Sequence, residues 1–407
     1  MKIVILTQYY PPEHGAPQNR LHDLAKRWRQ AGEEVTVLTA MPNYPAGEVF
    51  KEYRGRLSGA EEIDGVKVVR AWMLPSRKKG TIPQLRAYFS FVLAALLVGA
   101  FRLGRADFLV CESPPLFLGF TALALAFLKR ARLVMNISDL WPESAVQLGM
   151  LGPGPALRAL EWFEGLLYRR AALVSCQTEG IVDGVRKRHP GAATLLFPNG
   201  VDPETFFPIP KDVELARRLG LPEGGFVVGY GGNHGRSQAL SQVLDAAALL
   251  KDEDVRFALF GDGPEKDELV AKAKARGLDK VHFFPSMPRL EMLKAISLWD
   301  VALVPLRDIE LFHGARPSKM FELMAAEKPF IFCGEGEGAE LALSSRCAVA
   351  VPSERPSELA AAIMALRRRP PEELRAMGAA GHAFVLRDYN RIALAAAFLA
   401  RLRALAT

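Results

Sequence analysis

Cysteine is scarce: four residues in 407 (Cys111, Cys176, Cys333 and Cys347), scattered, with no CxxC pair among them. That excludes a disulfide scaffold and a cysteine-rich zinc module, and isolated thiols suit a reducing cytosol as small core residues. No G-x-G-x-x-G follows the first apolar run, so the dinucleotide fingerprint is missing where it would stand. No His/Cys/Asp/Glu set has metal-ligand spacing, and no metal is expected. Asp252-Glu253-Asp254 reads as a polar turn ahead of a strand. Aromatics do not interleave with a basic stripe, which argues against nucleic acid as a partner. The two greasiest runs, 87–101 and 116–128, fall short of the roughly 20 residues that span a bilayer. Four apolar residues after Met1-Lys2 are too few for a signal-peptide core and read as a first buried strand.

Half of the chain is apolar and a quarter charged, which is globular, and its length fits two domains. The net charge of +7 asks for an anionic partner. Short apolar runs alternate with longer amphipathic ones, as repeated β-α units of parallel sheets do. The first series begins at Lys2–Leu6 and ends at Leu195–Phe197. Its first helix is expected over Asn19–Ala31, stopped by Gly32. The turn-rich Pro198–Pro203 precedes a second series, from Phe226–Tyr230 to Ala348–Val351, with helices expected over Ser237–Leu250 and Ser318–Ala326. The fold class is therefore α/β, with one Rossmann-like domain over 1–202 plus 386–407 and another over 203–385. Open parallel sheets bind ligands at the carboxyl ends of their strands, so a cleft between the two domains is expected.

Four stretches carry chemistry. Tyr9–Pro17 follows the first strand, and Gly15-Ala16 lets backbone approach a ligand ahead of a helix N-terminus that favours negative charge. His14 borders the same loop. Gly229–Ser237 ends a strand in glycines and adds Arg236. Orphan amides at Gly232, Asn233 and Gly235, a helix dipole and a guanidinium would cradle phosphate there. In Gly314–Ala326, Pro317 pre-sets a helix start, so Ser318 and Lys319 lie in its first turn, and Lys319 and Glu322 share a face. Cation and carboxylate suit a diphosphate and a ribose diol. Beyond a buried strand, Ser138 and Asp139 are positioned to orient hydroxyls, or Asp139 to cap a helix.

At these residues the chain resembles the family-four retaining glycosyltransferases of GT-B fold, in the bacterial branch making O-antigen, capsule and colanic acid, which includes fucosamine transferases. The likeness runs through Tyr10–Gly15 (Tyr-Pro-Pro-Glu-x-Gly), Asp139–Ser144, Pro198–Asp202, Gly232–Gln238, Phe260–Glu265 and Pro317–Glu322. It implies two Rossmann-like domains facing across a cleft, a terminal helix crossing back to the first, and no metal. It further implies Arg236 and Lys319 on the donor diphosphate, Glu322 on the ribose, backbone near Met287 on the base, and Gly15 under the phosphates. Gly261 and Gly263 belong to the donor set, with Arg316 as a sugar contact. Three positions depart from the pattern: Gly314 stands where the wider family has an acid, Ala16 where it has a second glycine, and Ser138 where many relatives have histidine.

The expected reaction is transfer of a sugar from a nucleotide-diphosphate donor, with UDP the first choice, to a glycan or polyprenyl-diphosphate-linked acceptor. No carboxylate nucleophile can be named, so attack from the leaving-group face is expected, with Arg236 and Lys319 stabilising the departing charge and Asp139 assisting. A non-catalytic sugar-nucleotide-binding subunit or a sugar-nucleotide epimerase is the alternative. Arg86, Arg102 and Arg105, with Arg77-Lys78-Lys79, flank the apolar run 87–101. That run fits either a helix lying in an anionic membrane interface or a Rossmann helix buried against its sheet. The location implied is cytosolic, peripheral on the inner membrane face.

Overall fold

The computed structural model describes residues 1–406 except 14, 45–46, 76–80, 148–150 and 222–224. The chain forms two compact units, Met1–Pro198 with Arg391–Thr407, and Asn199–Asn390. These limits lie four and five residues from the expected boundaries at 202 and 385. At the crossovers, Val201 and Asn390 form a parallel bridge, and the Val201 amide donates to the Tyr389 carbonyl at 3.0 Å.

The first unit holds an eight-stranded sheet. Its strands are β1 (Lys2–Leu6), β2 (Glu34–Ala40), β3 (Ser58–Ile63), β4 (Val66–Ala71), β5 (Phe108–Ser113), β6 (Arg132–Ile137), β7 (Leu173–Cys176) and β8 (Thr194–Leu196), in the order β3-β4-β2-β1-β5-β6-β7-β8. All neighbours are parallel except β3 and β4. That hairpin was absent from the sequence reading. It turns through Asp64 and Gly65, both at positive φ, the Asp-Gly signature of a tight hairpin. The central strands β1, β5, β6 and β7 are buried almost throughout, as parallel strands covered on both faces must be.

Helix α1 (Ala16–Gln30) begins three residues earlier than expected, with Gly15 at its N-cap. Pro17 fits in its first turn because no intrahelical N–H is lost there. The terminal helix Arg391–Ala406 packs on α1: the Trp28 indole donates to the Ala395 carbonyl at 3.0 Å, and Arg403 holds Glu33.

Helix α2 (Thr81–Arg102) is longer than the apolar run suggested. By length and composition Leu85–Arg102 suffices to cross a membrane, contrary to the shortfall expected from the sequence. One face is core: Ala87, Phe91, Val92 and Ala95 are buried. The other exposes Phe89, Leu93, Leu97 and Phe101 at successive i+4 positions, from 42% to 87% exposed. The buried-helix reading therefore holds for one face of this run, and the other face is apolar and exposed. α3 (Leu118–Lys129), α4 (Glu143–Gln147) and α5 (Pro155–Arg170) complete this side of the unit.

The second unit is a six-stranded parallel sheet: β9 (Phe226–Gly231), β10 (Val255–Phe260), β11 (Val281–Phe284), β12 (Val301–Pro305), β13 (Phe330–Cys333) and β14 (Ala348–Val351), ordered β11-β10-β9-β12-β13-β14. The order reverses between β9 and β12, a switch point at which the loop after β9 stands open to a ligand. Asp252–Asp254 is a surface turn there, with Glu253 paired to Arg367 at 2.6 Å.

Candidate functional site

Glycine geometry draws the second unit's loops together. Gly261, after β10, sits at φ +143°, and a Cβ there would lie 1.8 Å from the Gly232 carbonyl oxygen of the loop after β9. Only glycine admits that approach. A Cβ at Gly263 would likewise strike the Asn233 side chain at 2.5 Å, and one at Gly232 would lie 2.6 Å from Lys319 Nζ. Gly232, Asn233, Gly261, Gly263 and Lys319 thus form one cluster at the carboxyl ends of β9 and β10. Lys266 clamps its floor, donating to the carbonyls of Gly261 (2.7 Å) and Phe284 (3.0 Å).

Two expectations about this loop are corrected. The helix does not open at Ser237: Arg236–Gln238 form a 3₁₀ turn following Gly235, and the helix runs from Ser241 to Leu249. Arg236 is exposed on that turn. The amides of Gly232 and His234 are not orphans either, since they donate to the carbonyls of Phe260 (3.0 Å) and Asp262 (2.9 Å). His234 is fully buried, and desolvation lowers its pKa to about 4, so its ring is neutral.

Lys319 occupies the first turn of the helix Ser318–Ala325, with Pro317 as N-cap one position earlier than the helical start expected of it. Its ammonium lies 4.1 Å over the Tyr230 ring, and burial pushes its pKa down to about 8 against the opposing pull of Glu322. Among the described residues no carboxylate forms an ion pair with this partly desolvated cation, and Glu322 acts on it only from a distance. Glu322 pairs with Arg289 at 3.4 Å, and Arg289 stacks over Phe206 at 5.1 Å. Arg289 escaped the sequence reading, although it stands two residues after Met287. The Met287 loop is pinned through the Ser286 amide to Asp262 at 2.9 Å.

Arg316 is bound to Glu337 at 2.8 Å, so its guanidinium is already engaged. Gly314 closes a 3₁₀ turn, and a Cβ there meets nothing within 4 Å, leaving open space where relatives carry an acid. Among the described residues Asp308, His313 and Glu335 bring ligand atoms within 4.8 Å of one another, a grouping the sequence does not single out. Glu335 already accepts from the Ser353 amide (3.0 Å) and hydroxyl (3.1 Å).

In the first unit, His14 lies outside the described residues, as do Arg77, Lys78 and Lys79. Ala16 opens α1. The motif residue Glu13 clamps the loop: its buried carboxylate accepts the amides of Tyr10 (3.2 Å), Asn43 (2.7 Å) and Tyr44 (2.8 Å). Ser138 sits in a buried network that sequence reasoning missed. Arg20 of α1 donates to Glu112 at 2.6 Å and to the Ser138 hydroxyl at 2.9 Å. Ser138 and Asn136 both donate to Glu112, Gln177 donates to Ser138, and Ser175 donates to Asn136 at 2.6 Å. The carboxyl ends of β5, β6 and β7 are thereby tied to α1. Asp139 turns away into local bonds with the Leu140 amide and the Ser144 side chain, and burial raises its pKa despite them.

Comparison with known proteins matches these two halves separately. Residues 15–200 match the model of a glycosyl transferase 4-like domain, and residues 225–369 that of glycosyl transferases group 1. The chain is 27% identical over 332 residues to a putative colanic acid biosynthesis glycosyl transferase, WcaI, of Escherichia coli K12, covering 80% of this chain and 81% of that one. Among solved structures, a sucrose-phosphate synthase from Thermosynechococcus elongatus superposes at TM-score 0.77 with 17% identity, covering 99% of this chain and 98% of that one. Anabaena HepE, in complex with UDP and glucose, superposes at 0.74 with 19% identity, covering 99% and 100%.

Proposed function

Because the chain belongs to the GT-B glycosyltransferases, with a glycosyl transferase 4-like domain ahead of a group 1 domain, we propose that it transfers a sugar from a UDP-sugar, with retention and without a metal, to a lipid-linked acceptor during cell-surface polysaccharide synthesis. The observation that carries the donor half is Lys319: a cation desolvated against Tyr230 and the Gly232 loop, in the first turn of a helix. A diphosphate supplies the missing charge.

In this reading Lys319, the amides of Ser318 and Lys319, and Arg236 swung in from its exposed turn hold the diphosphate. Arg289 and Glu322 bracket the nucleoside beside Met287, Glu322 taking the ribose hydroxyls. As the bond from the anomeric carbon to the diphosphate oxygen breaks, these cations stabilise the leaving charge, an effect of roughly 3–4 kcal/mol for a well-placed donor. The acceptor oxygen bonds the anomeric carbon from the same face, and its proton passes to the departing phosphate oxygen. In the first unit, Ser138 and Asp139 lie at strand ends suited to sugar hydroxyls, and Gly15 stands at the N-cap of α1, a helix N-terminus that favours negative charge.

The colanic acid relative motivates the acceptor class. The apolar face of α2, with exposed Arg86, Arg102 and Arg105 nearby, suits an anionic bilayer surface on the cytosolic side. Titration calorimetry with UDP, GDP and ADP, with and without EDTA, tests the donor. UDP binding that survives EDTA and disappears in Lys319→Ala is expected; tight UDP binding by that variant refutes the assignment. Sedimentation with anionic liposomes tests the surface, and absence of binding at low salt refutes it.

A further inference from the structure

The first unit contains a cavity of about 620 Å³ that the transfer chemistry leaves unused. Its walls are α2, the segment Pro114–Phe117, α3, Trp141 with α4, and α5, and among the described residues no charged side chain lines it. Tyr88, Phe117, Phe120, Trp141, Trp162 and Phe163 face it with six aromatic rings. Two of these rings are unusually open for their size, Phe120 at 48% and Trp162 at 64% exposed. A site for sugar or nucleobase needs convergent hydrogen-bonding groups, and this one offers scarcely any. It is built for hydrocarbon.

Its position says which hydrocarbon. One end opens toward the apolar face of α2: Phe89 packs on Phe117 with ring centroids 4.8 Å apart. The other end reaches the carboxyl ends of the sheet. Phe117 packs on Trp141 at 5.5 Å, and Trp141 stands two residues after Asp139. Pro114 follows β5 directly, two residues after Glu112. A continuous path of rings therefore runs from the exposed helix face to the polar network around Ser138. Exposed Arg86 and Arg158 stand next in sequence to the lining residues Leu85 and Ala159, which suits an anionic bilayer surface where the tail leaves the cavity.

We infer that this cavity holds the isoprenoid tail of the lipid-linked acceptor, delivering its diphosphate-bound sugar to the strand ends beside Ser138 and Asp139. The inference rests on the proposed transferase reading and adds the subsite that reads the lipid. The cavity is large enough for the first isoprene units of such a tail. A longer tail continues over the α2 face into the bilayer.

The test uses the full chain and isoprenyl monophosphates of two, three and four units, below their aggregation concentrations, read by titration calorimetry. Affinity is expected to rise at least tenfold per unit, and up to roughly a thousandfold where all five carbons are buried. Ala159→Trp, at an exposed position on the cavity wall, should lower the affinity for the four-unit phosphate at least tenfold while UDP binding and melting temperature stay unchanged. Trp162→Ala should weaken it by a smaller factor. Affinity independent of chain length, or unchanged in Ala159→Trp, overturns the inference. Equal affinity for an unbranched alkyl phosphate of matching carbon number overturns the assignment to isoprenoid. Failure of the transferase reading has a separate signature, loss of UDP binding in the unmodified protein.

Discussion

Replacing Lys319 by methionine keeps the length and girth of the side chain and removes its charge. Desolvation lowers the pKa of this ammonium from 10.5 to about 8, and at about 1.36 kcal/mol per unit the charge costs the folded state up to roughly 3 kcal/mol. That is an upper bound, because the side chain is half-buried and water screens it in part. Its contact with the Tyr230 ring returns roughly 1 kcal/mol. Lys319→Met should therefore be more stable than the natural protein by about 1 kcal/mol at pH 7, or roughly 2–4 °C in melting temperature for a unit of this size. The sign of the pH dependence follows from the same shift. Between pH 8 and 10.5 the unfolded chain binds the proton that the folded one has released, so natural stability climbs through that window. The advantage of the variant is full below pH 8 and fades as the pH approaches 10.5. UDP at one hundred times its dissociation constant should stabilise the natural protein by about 2.7 kcal/mol and the variant hardly at all. Denaturant midpoints at pH 7 and pH 10, with and without UDP, give all four quantities. A variant less stable at pH 7, or one equally protected by UDP, refutes the claim that this cation is held in readiness for an anion.

Gly261→Ala places a Cβ 1.8 Å from the Gly232 carbonyl at φ +143°; UDP affinity should fall by at least tenfold, with a loss of several kcal/mol in urea midpoint. Glu13→Gln turns one acceptor of three buried amides into a donor and should cost about 1–3 kcal/mol in the same measurement. Glu112→Gln leaves Arg20 buried without its counter-charge at 2.6 Å and should cost roughly 3–5 kcal/mol. Arg20→Met combined with it should recover part of that loss.

The β-α alternation was legible because its strands stand out as short apolar runs, at the centre of a sheet (β1) and at its edge (β14) alike, and both of these have the expected limits. β3 escaped because it is an edge strand, Ser-Gly-Ala-Glu-Glu-Ile, pairing on one side only and needing no apolar run. Asp64-Gly65 was the signal available for it. The start of the helix after β9 was misjudged because Ser237 is a good cap by type, yet Ala239 adopts a left-handed conformation at φ +43° that ends the 3₁₀ turn and delays the helix to Ser241. Nothing in the residue type of alanine foretells that.

The two halves differ in what a sequence can disclose about their polar sites. In the second unit the glycine cluster is made by backbone, and backbone that passes within contact distance of other backbone requires glycine, a residue visible wherever it stands. Gly232, Gly261, Gly263 and the Pro317-Ser318-Lys319 helix start could be read for that reason. In the first unit the corresponding place is made by side chains. Arg20, Glu112 and Ser138 are 92 and 118 positions apart along the chain, and each alone looks like an ordinary charged or polar residue. Only the register of β5 against β6, which sets Glu112 opposite Asn136, and the packing of α1 across them make Glu112 the acceptor of three donors. A carboxylate so fully engaged has little capacity left to attack an anomeric carbon or take a proton from an acceptor. Its work is to hold Ser138 and Arg20 still.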